Sequence, residues 1–128
     1  MKIVVMGEPV PKGRPRVMVR GKFPIIYTPK ATREAEESFI AQAVKYKLPG
    51  TPPEGPISII IRFYKERPKS KSKREIHWTS KPDLDNLVKL VLDALNKIFF
   101  KDDSQVVDIT ASKEYDSIPR TEVEIIEW

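Results

Sequence analysis

From Leu84 to Ile98 the apolar residues Leu84, Leu87, Val88, Val91, Leu95 and Ile98 recur at three- and four-residue spacing, a pattern that lines up on one side only of an α-helix. Such a stripe must be buried against another element. The strongest strand in the chain is Ile57 to Tyr64, ISIIIRFY. Its β-branched residues alternate with Ile57, Ile59, Ile61 and Phe63 on one face and Ile60 and Tyr64 on the other, which predicts a central strand covered on both sides. The helix is also bracketed by carboxylates, Asp83 and Asp85 before it and Asp102 and Asp103 after it. Two acidic clusters around one packing helix suit a metal site. Aspartates are equally at home as helix caps and turn residues, so the rest of the chain has to decide.

A chain of 128 residues fits one domain, 1–128, with enough length for a real core. It has no cysteine and a single histidine, His77, which removes disulfides, thiolate chemistry and multi-histidine zinc sites. Catalysis would have to rest on carboxylates, lysine, tyrosine or serine. The first residues carry no signal-peptide pattern, and no apolar run is long enough for a membrane helix, so the expected location is the cytoplasm. The net charge is +5, concentrated in 12–30 and 65–81. That excess points to a polyanionic partner or, more plainly, to soluble basic loops.

In chain order, Ile3 to Met6 reads as a strand ended by Gly7, Pro9 and Pro11. Arg14 and Arg16 flank Pro15, which favours an extended loop suited to phosphate contacts. A hairpin follows, VMVR and FPIIY around Arg20-Gly21-Lys22. Thr28 is the expected N-cap of a first helix with Pro29 at its first position, and Ala35, Phe39, Ile40, Ala43 and Tyr46 form its packing face. After the ISIIIRFY strand, 65–80 loses all apolar period. Lys69, Lys71, Lys73 and Arg74 make it a basic loop that leads to Lys81, and Trp78 at its end either anchors the loop or stacks on a base. Past the central helix, Val106 to Ser112 predicts a strand with Val107, Ile109 and Ala111 on one face. Thr121 to Trp128 predicts a last strand antiparallel to it. The whole is an α/β fold with a mixed, mostly antiparallel sheet and two main helices.

Pro82 favours an extended Lys81, which leaves Asp83 just outside the helix, so Asp83 and Asp85 can point toward one ion. Lys89 lies one turn beyond Asp85. It either forms a plain i,i+4 ion pair or holds charge beside a metal. Hard cations such as Mg²⁺ take oxygen ligands, and two of them roughly 4 Å apart can activate water and stabilise a leaving oxygen.

The compound pattern Lys81-Pro82-Asp83-Leu84-Asp85-Asn86-Leu87 with Lys89, then Asp93-Ala94-Leu95, then Asp102-Asp103-Ser104-Gln105-Val106 resembles the RusA family of Holliday junction resolvases. The Gly13-Arg14-Pro15-Arg16 loop is similar to that of its phage and Gram-positive branch. The resemblance implies a homodimeric endonuclease that binds four-way DNA junctions and nicks two strands symmetrically with Mg²⁺, or Mn²⁺, in recombination and repair. It implies Asp83, Asp85 and Asp103 as catalytic metal ligands, with Asp102 beside them and Lys89 as the catalytic lysine. Arg14, Arg16, Lys69, Lys71, Lys73, Arg74 and Lys81 are the expected DNA contacts. A non-catalytic nucleic-acid-binding module, a related nuclease of other branched-DNA specificity and a protein-interaction domain are the competing readings.

Overall fold

In the computed structural model, which describes residues 1–128, the elements follow one another as β1 (Lys2–Met6), β2 (Arg16–Arg20), β3 (Phe23–Tyr27), α1 (Lys30–Ala43), β4 (Ile57–Glu66), α2 (Leu84–Leu95), β5 (Val106–Asp116) and β6 (Arg120–Glu127). Four strands form one sheet in the order β1-β6-β4-β5. β2 and β3 make a separate two-stranded hairpin. Within the sheet β4 runs parallel to β5, while the β4–β6 and β1–β6 pairs are antiparallel.

The central helix is what makes β4 and β5 parallel. A crossover of helical length between two strands returns the chain to the starting end of the sheet, and α2 provides it. β6 therefore runs antiparallel to β5, as the sequence predicts, but does not pair with it; β4 lies between them. Ile57, Ile59, Ile61 and Phe63 of β4 are buried under the helices together with Ile3, Val123 and Ile125. Leu87, Leu90, Val91, Ala94 and Leu95 of α2 and Phe39 and Ala43 of α1 close the core from above.

Three expectations need correction. β4 is central but not covered on both sides: Arg62 is exposed and Ile60 and Tyr64 are half-buried, because both helices pack on the same face. Ile109 and Ala111 share the face of their register partners Ile59 and Ile61, yet β5 is an edge strand, so Ile109 stays exposed. Val107 falls at a register shift, between the pairs Ile57–Val106 and Ser58–Asp108, and is exposed as well. The first helix starts one residue later than predicted, with Pro29 in the capping position and no side-chain cap.

Thr28 is thus not the cap, and the hydroxyl that matters is Thr32. Buried under the N-terminal loop, its Oγ1 accepts the Gly13 amide at 3.0 Å. A Cβ on residue 13 would run into that oxygen, so glycine is what lets the loop lie this close to α1.

Candidate active site at the start of the second helix

The start of α2 is built by three segments. The Lys81–Pro82 peptide is cis, and Asp83 takes the N-cap position with extended backbone. Its carbonyl accepts the Leu87 amide at 3.2 Å. Its carboxylate accepts no capping hydrogen bond and is exposed, so the helix does not use it. Asp85 sits in the first turn, exposed, and its Oδ1 accepts only the neighbouring Asn86 amide, at 3.0 Å. The Asp83 carboxylate thus stands free, and Asp85 keeps one oxygen unengaged, where the helix dipole favours negative charge.

The second segment is the N-terminal loop. The Lys12 amide donates to the Asn86 carbonyl at 2.9 Å, and its ammonium donates to Glu36 of α1 and lies 3.2 Å from Asp93 of α2. Burial works against this charge, but the hydrogen bonds to Glu36 and Asp93 outweigh it and raise the Lys12 pKa above its ordinary value. Lys12 therefore ties the loop to both helices. Between loop and helix runs a groove of about 530 Å³, lined by Arg14, Lys81, Pro82, Asp83 and Asn86 among others. Arg14 lines a second groove as well, with Arg16, at the start of α1.

The third segment is β5. Lys113 donates to the Ser80 and Pro82 carbonyls, each at 2.7 Å, and so holds the residues that lead into Asp83. Burial lowers its pKa, the Asp83 charge opposes that and Lys65 adds to it, with a net lowering. Trp78 is buried in the core, its indole N–H near the Lys81 carbonyl at 3.4 Å and its ring flanked by the Lys113 and Lys65 ammonium groups at 4.7 and 5.2 Å from the centroid. Of its two sequence readings, the anchor is the one the fold uses.

Of the other predicted residues, Lys89 lies one turn beyond Asp85 on α2 and the rest lie outside this cluster. Lys89 is exposed, and the ion pairs on this flank run from Lys12 to Glu36 and Asp93, leaving Asp85 and Lys89 out. Lys69, Lys71, Lys73 and Arg74 are exposed in the basic loop, with Lys71 3.9 Å from Glu75. Asp102 and Asp103 follow the far end of α2, whose twelve residues span roughly 18 Å. There Asp102 is a working cap: its carboxylate accepts the Ser104 amide at 3.1 Å while Gln105 reaches back to the Asp102 amide at 2.7 Å, closing a capping box. The Ser104 hydrogen bond, then Lys97 at 3.0 Å, lower its pKa to about 2. Asp103 is exposed beside it.

Within one chain no three acidic or histidine side chains converge to hold a metal ion. Mg²⁺ needs less than that, since one or two carboxylates suffice when water and substrate phosphates complete its shell. Asp83 and Asp85 meet that requirement, and Asp103 does not join them within its own chain. Lys12, Asn86 and Lys113 shape the site without having been predicted. Lys12 stands next to the arginine loop and was within reach of the sequence, whereas nothing local marks Lys113.

The site thus combines exposed carboxylates at a helix start with cations along the adjoining groove of a small α/β domain. Residues 6–126 match the family of endodeoxyribonuclease RusA, and the chain belongs to that family. It is 40% identical, over 137 aligned positions that take in 99% of this chain and 96% of the other, to the uncharacterized protein YqaN of Bacillus subtilis (strain 168). It is also 39% identical over 74 residues, 56% of this chain and 55% of the other, to the crossover junction endodeoxyribonuclease rusA of Lactococcus phage r1t. No helix is long and apolar enough to cross a membrane.

Proposed function

We propose that this chain is a Mg²⁺-dependent endonuclease, with Mn²⁺ as a substitute, that works as a homodimer in the cytoplasm and resolves four-way DNA junctions by paired symmetrical nicks during recombination and repair. The observation that carries this reading is the Asp83 carboxylate, which the helix leaves uncapped in a groove that also exposes Arg14 and Lys81. A cap would be consumed by its helix. A carboxylate left free among unpaired cations is available to a cation and a phosphate together.

In this reading Asp83 and Asp85 hold the metal, which when bound supplies Lewis-acid stabilisation of a phosphoryl oxygen. Arg14 and Lys81 grip phosphates on either side of the groove, Arg14 by a bidentate contact. Lys89, free of any carboxylate, meets negative charge that develops one helical turn from Asp85. Arg16, Lys69, Lys71, Lys73 and Arg74 track the backbone of the DNA arms and make binding salt-dependent. Lys113 and Trp78 position the 80–83 segment and do not touch DNA. A helix length separates Asp103 from Asp83 in its own chain, so Asp103 acts here as a carboxylate supplied by the second protomer. Asp102 holds the turn that presents it.

The test is cleavage of a labelled four-way junction and a matched linear duplex, with and without Mg²⁺. Paired nicks confined to the junction and dependent on the metal are expected; no metal-dependent nicking of any branched substrate would leave a binding module instead. Mixing Asp83→Asn with Asp103→Asn protein tests the shared site. Each alone is inactive, and mixed dimers recover one intact pair of carboxylates and a single nick. A mixture that exchanges subunits and stays inactive rules out the shared site.

A further inference from the structure

The β2–β3 hairpin is the one part of the fold that no other element covers. All ten of its strand residues are exposed, although Val17, Met18, Val19, Phe23, Pro24, Ile25, Ile26 and Tyr27 are apolar or aromatic. Its two faces differ. The register pairs Val17 with Ile26 and Val19 with Pro24, so one face is wholly apolar, with exposures of 63% for Val17, 69% for Val19 and 72% for Ile26. The other face carries Arg16 and Arg20 beside Met18, Ile25, Phe23 and Tyr27.

A lone two-stranded ribbon is marginally stable in water. On the apolar face the exposed parts of Val17, Val19 and Ile26 add to on the order of 350 Å², the few hundred Å² at which an open patch marks an interaction site; two reciprocal contacts of that size, each covering a comparable area of partner surface, approach the roughly 1,600 Å² of a standard interface. The uncharged face offers nothing to a phosphate. It calls for a protein surface.

Such a surface exists at the opposite end of the molecule. A groove of about 360 Å³ is lined by Leu48, Pro49, Pro53, Ile98, Phe99 and Ile125, with Leu48 67% exposed. Lys47, Glu127 and the terminal ammonium of Met1, which donates to the Ile125 carbonyl at 3.0 Å, complete its lining. Arm and groove lie at opposite ends of α2: the arm leaves the Arg14 loop beside Asp83, while Pro53 of the groove accepts a hydrogen bond from Gln105, two residues after Asp103. Within one chain the arm does not fill this groove: Val17, Val19, Ile26 and Leu48 all stay exposed.

Building on the homodimer proposed above, we infer that the β2–β3 arm of each protomer docks its Val17, Val19, Ile26 face into the Leu48–Ile98 groove of a second copy. The exchange is reciprocal and closes with two-fold symmetry, so each dimer holds two equal contacts. It also brings the Asp103 end of one copy toward the Asp83 end of the other.

The test is sedimentation velocity of the full chain over a concentration series, with Ile26→Asp on the arm and Leu48→Asp in the groove. Both positions are exposed, and unchanged melting of the variants confirms that they fold. The wild type is expected to be a dimer, each variant a monomer with dimerisation weakened at least tenfold, and an equimolar mixture of the two partly dimeric through the one contact it retains. If Ile26→Asp stays dimeric, or only Leu48→Asp does, or the mixture stays monomeric, the exchange is wrong. Ile26→Asp protein that remains dimeric but binds junctions poorly would make the arm a DNA contact and overturn the inference. A monomeric wild type would overturn both the inference and the homodimer, and junction nicking by the same sample would show separately whether the endonuclease reading stands.

Discussion

Replacing Trp78 by alanine separates the two roles that its position invites. The ring is 3% exposed and belongs to the core cluster, so its removal costs lost transfer energy plus a cavity, about 3–5 kcal/mol for a buried tryptophan. The total stability of a domain is roughly 5–15 kcal/mol. For this chain length each kcal/mol shifts Tm by roughly 3–5 °C, so Trp78→Ala should melt on the order of 10–20 °C lower. Trp78→Phe keeps most of the packing but loses the indole N–H and weakens the stacking of Lys113 and Lys65, with an expected cost of about 1–2 kcal/mol. Thermal unfolding by circular dichroism measures both. Fluorescence in a Trp128→Phe background reads Trp78 alone, and its emission should be that of a buried indole which shifts red as the domain melts. Junction affinity of Trp78→Ala, measured well below its Tm, should fall only in step with the loosening of the 80–83 segment that carries Lys81, because the ring faces the core and base stacking worth roughly 1–3 kcal/mol per base is not being removed. A Trp78→Ala protein that melts like the wild type yet binds DNA tenfold more weakly would refute the anchor.

Two further predictions concern the loop and the far turn. Gly13→Ala forces a methyl group against the Thr32 hydroxyl, so the Arg14 loop must lift; junction affinity measured by fluorescence anisotropy should fall several-fold, and Gly13→Ala combined with Thr32→Ala, which removes that hydroxyl, should recover part of the loss. Asp102 has a folded pKa of about 2 against an ordinary 3.8, lowered first by its bond from Ser104. Its contribution to stability is present above pH 3.8 and is lost as pH falls toward 2. Asp102→Ala should therefore be less stable than wild type at neutral pH, and the gap between them should close across that window in acid-unfolding titrations.

The parts of the fold that were legible in the sequence are those set by local period. The stripe of α2, the alternation of β4 and the glycine turn between Arg20 and Phe23 each follow from local pattern, and the structure has all three, except that α2 ends at Leu95, short of Ile98, and buries Leu90 and Ala94 more deeply than Leu84 and Val88. What spacing cannot supply is which side of a strand receives the helices. Both pack on the Ile59 face, and this is why Tyr64 and Ile60 are half-exposed and why Ile109 on the edge strand is open despite its apolar partner. Nor does spacing tell a cap from a free carboxylate. Asp83 and Asp102 both precede a helical turn, yet only Asp102 has a serine amide within reach of its side chain, while Asp83 caps through its backbone alone. Lys113 enters the candidate site only because β5 lies parallel to β4, a long-range choice made by the crossover and invisible to the residues around it.

The central claim is that the free carboxylates at the start of α2 act on DNA bound by the cations around them. The direct measurement is Mg²⁺-dependent nicking of a labelled four-way junction by Asp83→Asn, set beside its junction affinity in the same buffer without metal. The account predicts that nicking falls below detection while affinity is unchanged or tighter, since a negative charge has been removed from beside the phosphates. Nicking at the wild-type rate would contradict it.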